Sequence, residues 1–133
     1  MIKALGFDTH VSIIDAEISR NSAGLNQPDD KAYAGVLMVL DNASFDIQGT
    51  TFEENSCAFG STIQLTSNKG PTSVIKDSTF RKNIGDGLMV IYDSKMDVEN
   101  TTFEDNISTE STTAIKITHS VFNMKNNRFR NTK

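Results

Sequence analysis

A four-residue unit, Phe-x-x-Asn, occurs three times in this chain. It reads FEEN, FRKN and FEDN, and it begins at Phe52, Phe80 and Phe103. A unit that recurs at such intervals is typical of repeat architectures, in which each repeat buries its apolar face against the next repeat. The repeat therefore decides which folds this chain can adopt.

Each unit carries the same pattern of apolar residues. Five pairs of apolar residues are five positions apart: Ile13 and Ile18, Ile47 and Phe52, Ile75 and Phe80, Val98 and Phe103, Met124 and Phe129. Four upstream pairs are two positions apart: Met38 and Leu40, Ile63 and Leu65, Met89 and Ile91, Ile115 and Ile117. Apolar residues two apart lie on one face of a strand. Each unit is therefore predicted to supply two short strands and a further inward-pointing residue.

Charges at equivalent positions of successive units alternate in sign. The residue after each inward phenylalanine position reads Ser19, Glu53, Arg81, Glu104 and Arg130. Adjacent strands of a sheet lie about 4.8 Å apart, so opposite charges attract there and like charges repel. The alternation predicts parallel repeats stacked in register. We therefore predict an all-β, right-handed parallel β-helix of about four to five coils. It is a single domain spanning residues 1–133, or a segment of a longer one, with repeat units that end near residues 21, 55, 83, 106 and 131.

The phenylalanines and asparagines of the repeat are predicted to form a structural ladder. The phenylalanines point inward at a corner of the coil, and they are Phe52, Phe80, Phe103 and Phe129. The asparagines lie at the following turn, where this residue type tolerates left-handed backbone and can bond to its stacked copies. They are Asn21, Asn55, Asn83 and Asn106. The last unit departs from the pattern, because Thr132 occupies the expected asparagine position.

The pattern resembles right-handed parallel β-helix repeat proteins of the pectin-lyase-like fold. Phe52 and Asn55 followed by Gly60-Ser61-Thr62-Ile63 resemble the F-x-x-N and G-G-A-I repeats of polymorphic outer-membrane proteins and other large surface proteins. The resemblance runs from Val11 onward. It implies the fold but no single function, since β-helices serve as lyases, hydrolases, adhesins and spacers. It also favours an extracellular or cell-surface location.

A carbohydrate-active enzyme was tested against the residues that such chemistry requires. Polygalacturonase-like enzymes use a glycine-flanked histidine, whereas His10 and His119 have no glycine neighbours. Pectate-lyase-like enzymes need clustered calcium-binding carboxylates, but Asp46 and Asp97 fall two coils apart with Val74 between them. We therefore predict no catalytic residue, no metal site and no cofactor.

Two predicted strands, GVLMVL and GLMVIY, are apolar on both faces. If these strands follow the spacing of the other units, Leu37, Val39, Leu88, Val90 and Tyr92 point outward. Exposed apolar patches often mark partner sites, so these five residues are the predicted partner-binding surface. A segment of the same chain that covers the strands, residues 22–34, is the alternative.

Charged residues are distributed unevenly along the chain. Residues 1–110 hold eight basic and 17 acidic side chains, whereas residues 111–133 hold five basic and no acidic ones. No nucleic-acid motif accompanies this basic end, so nucleic acid is not an expected partner.

Solenoids need capped ends, and neither terminus shows a capping helix pattern. We also find no sequence segment apolar enough to span a membrane.

The resulting hypothesis is a non-enzymatic structural or interaction module of a larger surface or assembly protein. Its partner is expected to be another protein subunit or neighbouring β-helix coils. The alternative is a carbohydrate-active enzyme, of the pectate-lyase-like or glycoside hydrolase kind, or a polysaccharide-binding domain.

Overall fold

The computed structural model describes residues 1–23, 34–57, 61–109 and 114–132. These ranges contain short β-strands and no helix, and every strand pair is parallel. The strands form four sheets that run along the same axis. Successive strands of a sheet come from successive coils of the chain, as expected for a parallel β-solenoid. The predicted all-β fold is confirmed, and a right-handed connection is the one expected between parallel strands.

Three sheets have five strands each, and the fourth has four. Sheet 1 contains β1 (Ile2–Leu5), β5 (Ala34–Leu40), β9 (Ser61–Thr66), β13 (Gly87–Tyr92) and β17 (Ile115–Thr118). Sheet 2 contains β2 (His10–Ile14), β6 (Ser44–Gln48), β10 (Ser73–Lys76), β14 (Lys95–Glu99) and β18 (Val121–Lys125). Sheet 3 contains β3 (Glu17–Ser19), β7 (Thr51–Glu53), β11 (Thr79–Arg81), β15 (Thr102–Glu104) and β19 (Arg128–Arg130). Sheet 4 contains β4 (Ser22–Ala23), β8 (Ser56–Cys57), β12 (Ile84–Gly85) and β16 (Ile107–Ser108).

The predicted register is present in the structure. Phe52, Phe80 and Phe103 are paired across β7, β11 and β15, and their side chains are fully buried. Ring centroids are 4.6 Å apart between Phe52 and Phe80 and 5.3 Å apart between Phe80 and Phe103. Phe129 continues the stack at 4.7 Å from Phe103. Stacked aromatic rings therefore form one edge of the core along four coils.

The left-handed backbone of the corners lies one residue before the ladder asparagines, which corrects the prediction. The five residues in this position, with φ between 46° and 56°, are Arg20, Glu54, Lys82, Asp105 and Asn131. The sharp change of direction occurs at these exposed residues. The asparagine that follows is then free to turn its amide group into the coil.

The predicted orientation of β5 was wrong. Leu37 and Val39 are fully buried and lie in register with Ile63 and Leu65, whose side chains point into the core. The pairing of β5 with β9 contains a register shift between Ala34 and Leu37. A slip of one residue exchanges the two faces of a strand. Because GVLMVL is apolar on both faces, its own pattern could not determine which face is buried.

Candidate interaction surfaces

The ladder asparagines lie inside the coil, and their amides connect successive coils. Asn83 Nδ2 donates hydrogen bonds to Asn106 Oδ1 at 3.0 Å and to the Phe52 carbonyl at 2.9 Å. Asn83 Oδ1 accepts hydrogen bonds from Nδ2 and the backbone N–H of Asn55, at 2.9 and 3.0 Å. Asn55 Nδ2 likewise donates a hydrogen bond to the Ile18 carbonyl at 2.9 Å. These side chains have their hydrogen bonds within the fold, and their role is structural.

The last coil keeps the aromatic ring but replaces the amide with a hydroxyl. Thr132 Oγ1 donates a hydrogen bond to the Phe103 carbonyl at 3.2 Å, the kind of bond that the asparagine makes in earlier coils. A second ladder runs along the neighbouring corner. There the Thr50 backbone N–H donates to Ser78 Oγ at 3.2 Å, and Ser78 Oγ donates to the Lys76 carbonyl at 2.7 Å. Hydroxyl side chains thus form a column at this corner, and it is linked through backbone groups.

The alternating charges form ion pairs between coils. Arg81 Nη2 lies 2.6 Å from Glu53 Oε2, Lys125 Nζ lies 2.9 Å from Glu99 Oε1, and Arg130 Nη1 lies 3.2 Å from Glu104 Oε1. The hydrogen bond and positive charge of Lys125 hold the pKa of Glu99 below its usual value. The hydrogen bond that Arg81 donates to Glu53 similarly raises the pKa of Arg81. These carboxylates are held in ion pairs between coils. The lowered pKa of Glu99 is the opposite of the raised pKa that a general acid requires.

Sequence reasoning missed one polar cluster on sheet 2. His10 Nδ1 lies 2.9 Å from Ser44 Oγ, and His10 Nε2 lies 3.5 Å from Asp46 Oδ2. These residue types are those of a serine hydrolase triad. However, Ser44 is only 3% exposed, whereas the Asp46 side chain is 55% exposed. A substrate would not reach the hydroxyl, and the cluster instead joins the first coil to the second. The register between His10 and Ser44 was the signal that could have revealed it.

The carboxylates considered for calcium are separated as predicted. Val74 pairs with Asp46 on one side and with Asp97 on the other. Asn123 Nδ2 donates a hydrogen bond to Asp97 Oδ1 at 2.8 Å. Within the described residues, no group of three or more His, Cys, Asp or Glu side chains is arranged to hold a metal ion.

The predicted partner-binding residues are only partly exposed. Leu37, Val39 and Leu88 all belong to the buried core, and Leu88 is only 3% exposed. Val90 is partly exposed, and Tyr92 is 45% exposed and contacts the His119 ring edge-on at 5.8 Å between centroids. The covering segment considered as the alternative, residues 22–34, lies for the most part outside the described residues.

An exposed apolar edge does remain on sheet 1, and we call it the outer rim. It consists of the outward side chains Leu5, Leu40, Val90 and Tyr92, of which Leu5 is 47% exposed. Gln64 is the outward neighbour of Val90. Its Oε1 atom is buried without a hydrogen-bond partner among the described residues. The outer rim thus places exposed apolar side chains close to an unsatisfied acceptor.

A second apolar surface lies at the C-terminal end of the solenoid, and we call it the end face. It is formed by the inward positions of the last coil, which are Ile115, Ile117, Phe122, Met124 and Phe129. Ile117 is 43% exposed, Met124 is 41% exposed and Phe129 is 49% exposed. The equivalent positions of the preceding coil, such as Phe103, are buried. At the end face, side chains equivalent to core residues of earlier coils are therefore exposed to solvent.

Comparisons with protein-family models, with curated proteins and with solved structures found no match for this chain. The structure supports one part of the resemblance to β-helix repeat proteins: the chain forms a parallel β-solenoid with an asparagine ladder. In the part of the chain that the structure describes, no helix is long and apolar enough to cross a bilayer.

Proposed function

We propose that this chain is a non-enzymatic structural and interaction module that holds a rigid face against a protein partner. The observation that carries the proposal is the outer rim, where Val90 is partly exposed and Tyr92 is 45% exposed. Apolar surface gains from being covered. A protein partner with apolar side chains would supply that cover.

The construction of the coil supports a scaffolding role. The side chains that cross between coils are paired with one another, as in the Glu53–Arg81 and Glu99–Lys125 ion pairs. The buried amides of Asn55 and Asn83 likewise bond to other coils. A surface held at several points in each coil keeps its shape when a partner binds, and it therefore loses little conformational entropy on binding.

The proposal includes a location and a larger context. The F-x-x-N units resemble those of large surface proteins, which favours an extracellular or cell-surface location. The pectin-lyase-like resemblance is compatible with this role, because one β-helix fold serves both enzymes and adhesins. We accordingly infer that the chain is a segment of a larger surface or assembly protein.

Site-specific photo-crosslinking tests the proposal. A photoreactive phenylalanine analogue at Val90 is compared with the same analogue at Gln48, an exposed outward position of sheet 2. Both variants are expressed in cells that naturally produce the chain. We expect one defined crosslinked protein from position 90 and none from position 48.

The partner obtained by crosslinking must also bind the purified chain. Its affinity should fall at least tenfold for the Tyr92→Ser variant and remain unchanged for Gln48→Ala. Equal crosslinking at both positions would contradict the proposal. Calcium-dependent cleavage of polygalacturonate, or saturable binding to a polysaccharide, would favour the carbohydrate-active alternative.

A further inference from the structure

A groove on the side of the solenoid is formed where one turn is longer than its neighbours. The turn between β9 and β10 comprises residues 67–72, whereas the equivalent turns of the next two coils comprise only residues 93–94 and 119–120. The groove beside the long turn has a volume of about 320 Å³, and its lining includes Asn68, Lys69, Asp93, Lys95, His119 and Val121. Because these residues belong to three successive coils, the groove runs along the side of the solenoid and is separate from the end face. It therefore remains a lateral surface when neighbouring coils cover the end face.

The wall formed by the long turn is fixed by hydrogen bonds. Asn68 is fully buried, and its Nδ2 donates to the Pro71 carbonyl at 2.8 Å while its Oδ1 accepts from the Gly70 N–H at 3.1 Å. The Asn68 N–H donates to Ser94 Oγ at 3.0 Å, which connects the turn to the next coil. A groove whose wall is held in this way loses little conformational entropy when a ligand enters it.

The groove contains a lysine and a histidine that have no acidic partner. Lys69 Nζ lies 3.2 Å from Asp93 Oδ2, so the carboxylate of Asp93 is already paired. Lys95 and His119 are exposed, and neither forms an ion pair within the described ranges. Lysine donates hydrogen bonds through its ammonium group, and histidine donates through a ring N–H in either protonation state. A carboxylate accepts hydrogen bonds with two oxygens, so it can accept from both donors at once.

The groove adjoins the outer rim. The Tyr92 ring of the outer rim contacts the His119 ring edge-on, with 5.8 Å between centroids. Lys116 is exposed and lies in register with Val90, another residue of the outer rim. A partner that covers Val90 and Tyr92 therefore meets basic side chains at the same edge, and the complementary charge on that partner is negative.

We propose that the groove binds an acidic peptide segment of the protein partner that covers the outer rim. A glutamate or aspartate carboxylate of that segment accepts hydrogen bonds from Lys95 and His119, and Val121, which is 58% exposed, contacts the adjacent methylene groups. The inference rests on the proposed function, since it names the chemistry of the same partner. An anionic polysaccharide also carries carboxylates, so the experiment must distinguish it from a peptide.

Titration of the isotope-labelled chain, followed by nuclear magnetic resonance, tests the proposal. The probes are a capped tetraglutamate peptide, a capped tetraglutamine peptide and tetragalacturonate, each at low ionic strength. We expect tetraglutamate to cause saturable shift changes at the amides of Lys95, His119 and Val121, and tetraglutamine to cause none. Because exposed charge pairs are weak, the expected dissociation constant for this short probe lies in the millimolar range.

Substitutions in the groove test its charge. Lys95→Met should weaken tetraglutamate binding about three- to fivefold, and Lys95→Arg, which keeps the charge, should bind within about twofold of the parent. Asp93→Asn should strengthen binding about two- to threefold, since it removes a negative charge from the groove and releases Lys69. Lys76→Met is the matched control, because Lys76 is exposed on the same sheet as Lys95 but does not line this groove. This control variant should bind tetraglutamate like the parent.

Three results of these titrations would overturn the proposal. They are the absence of saturable tetraglutamate binding, shift changes centred on Arg128 and Arg130 of the basic last coil, and equal losses of affinity for Lys95→Met and Lys76→Met. Tighter binding of tetragalacturonate than of tetraglutamate would also overturn it and would favour the polysaccharide-binding alternative. The titrations use no natural partner. A negative result together with a defined crosslink at position 90 would therefore overturn the acidic-segment inference alone and leave the proposed function intact.

Discussion

At the scale of single residues, each corner combines an exposed residue in left-handed backbone with a buried polar side chain. The change of direction occurs at Glu54 or Lys82, and the amide of Asn55 or Asn83 then bonds to the next coil. The ladder asparagines Asn55 and Asn83 are no more than 1% exposed. Because buried polar groups are costly when unpaired, these amides stabilise the stack only while every coil supplies its partner.

Removal of one buried amide should therefore strongly lower the free energy of unfolding. Asn83→Ala leaves the Phe52 carbonyl and the N–H groups of Asn55 without their bonds. We expect the free energy of unfolding to fall by about 2 to 4 kcal/mol. Asn123→Ala is the control, since Asn123 is exposed and its side chain donates one hydrogen bond, to Asp97, within the described residues. This variant should cost less than about 1 kcal/mol. Urea denaturation measures both, and equal losses would show that the ladder has no special role.

The ion pair between Glu99 and Lys125 should make stability depend on pH. The pKa of Glu99 is lower in the folded chain than the ordinary value of a glutamate side chain. Such a group stabilises the fold above its unfolded pKa, and this stability is lost as pH falls through the folded pKa. Glu99→Gln should therefore lower stability at pH 7 and show a smaller loss on acidification to about pH 3. Asp8→Asn, at an exposed turn, should unfold like the parent at both values. Parallel curves for Glu99→Gln and the parent would contradict the ion-pair account.

At the scale of elements, the sequence was sufficient to predict register but not every face. The phenylalanine position and the alternating charges predicted which residues of β7, β11 and β15 pair, and the structure confirms those pairs. The orientation of β5 was not predictable, because both of its faces are apolar. The cluster of His10, Ser44 and Asp46 was missed for a related reason, since its members come together only through pairing between coils. The exposure of the end face was also not predictable from the pattern of apolar residues. That pattern shows which side chains point inward, but not whether another coil covers them.

The aromatic stack provides a test of coil-to-coil packing. Phe80 is fully buried between Phe52 and Phe103, whereas Phe129 is 49% exposed and has one stacking neighbour. Phe80→Ala should lower the free energy of unfolding by about 3 to 5 kcal/mol. Phe129→Ala makes the same chemical change and should cost less than half as much. Chemical denaturation of dilute samples compares the two variants, and a similar cost for both would mean that the last coil is covered in solution.

At the scale of the whole molecule, stability is distributed along one axis. Each coil contacts mainly the coils before and after it, so the stability of such an array is close to a sum of local terms. The third coil, with β10 and β11, has neighbours on both sides and contains the fully buried Ile75 and Phe80. The last coil has a neighbour on one side only. Local opening is therefore expected to begin at an end.

Hydrogen exchange should reveal this gradient and its asymmetry. We expect the slowest amide exchange in β10 and β11 and the fastest in β18 and β19. The N-terminal coil should be intermediate, because Ile13 is only 8% exposed whereas Met124 and Phe129 are 41% and 49% exposed. Exchange measured by mass spectrometry on dilute, monomeric chain tests the gradient, and uniform protection would instead mean that all coils open together.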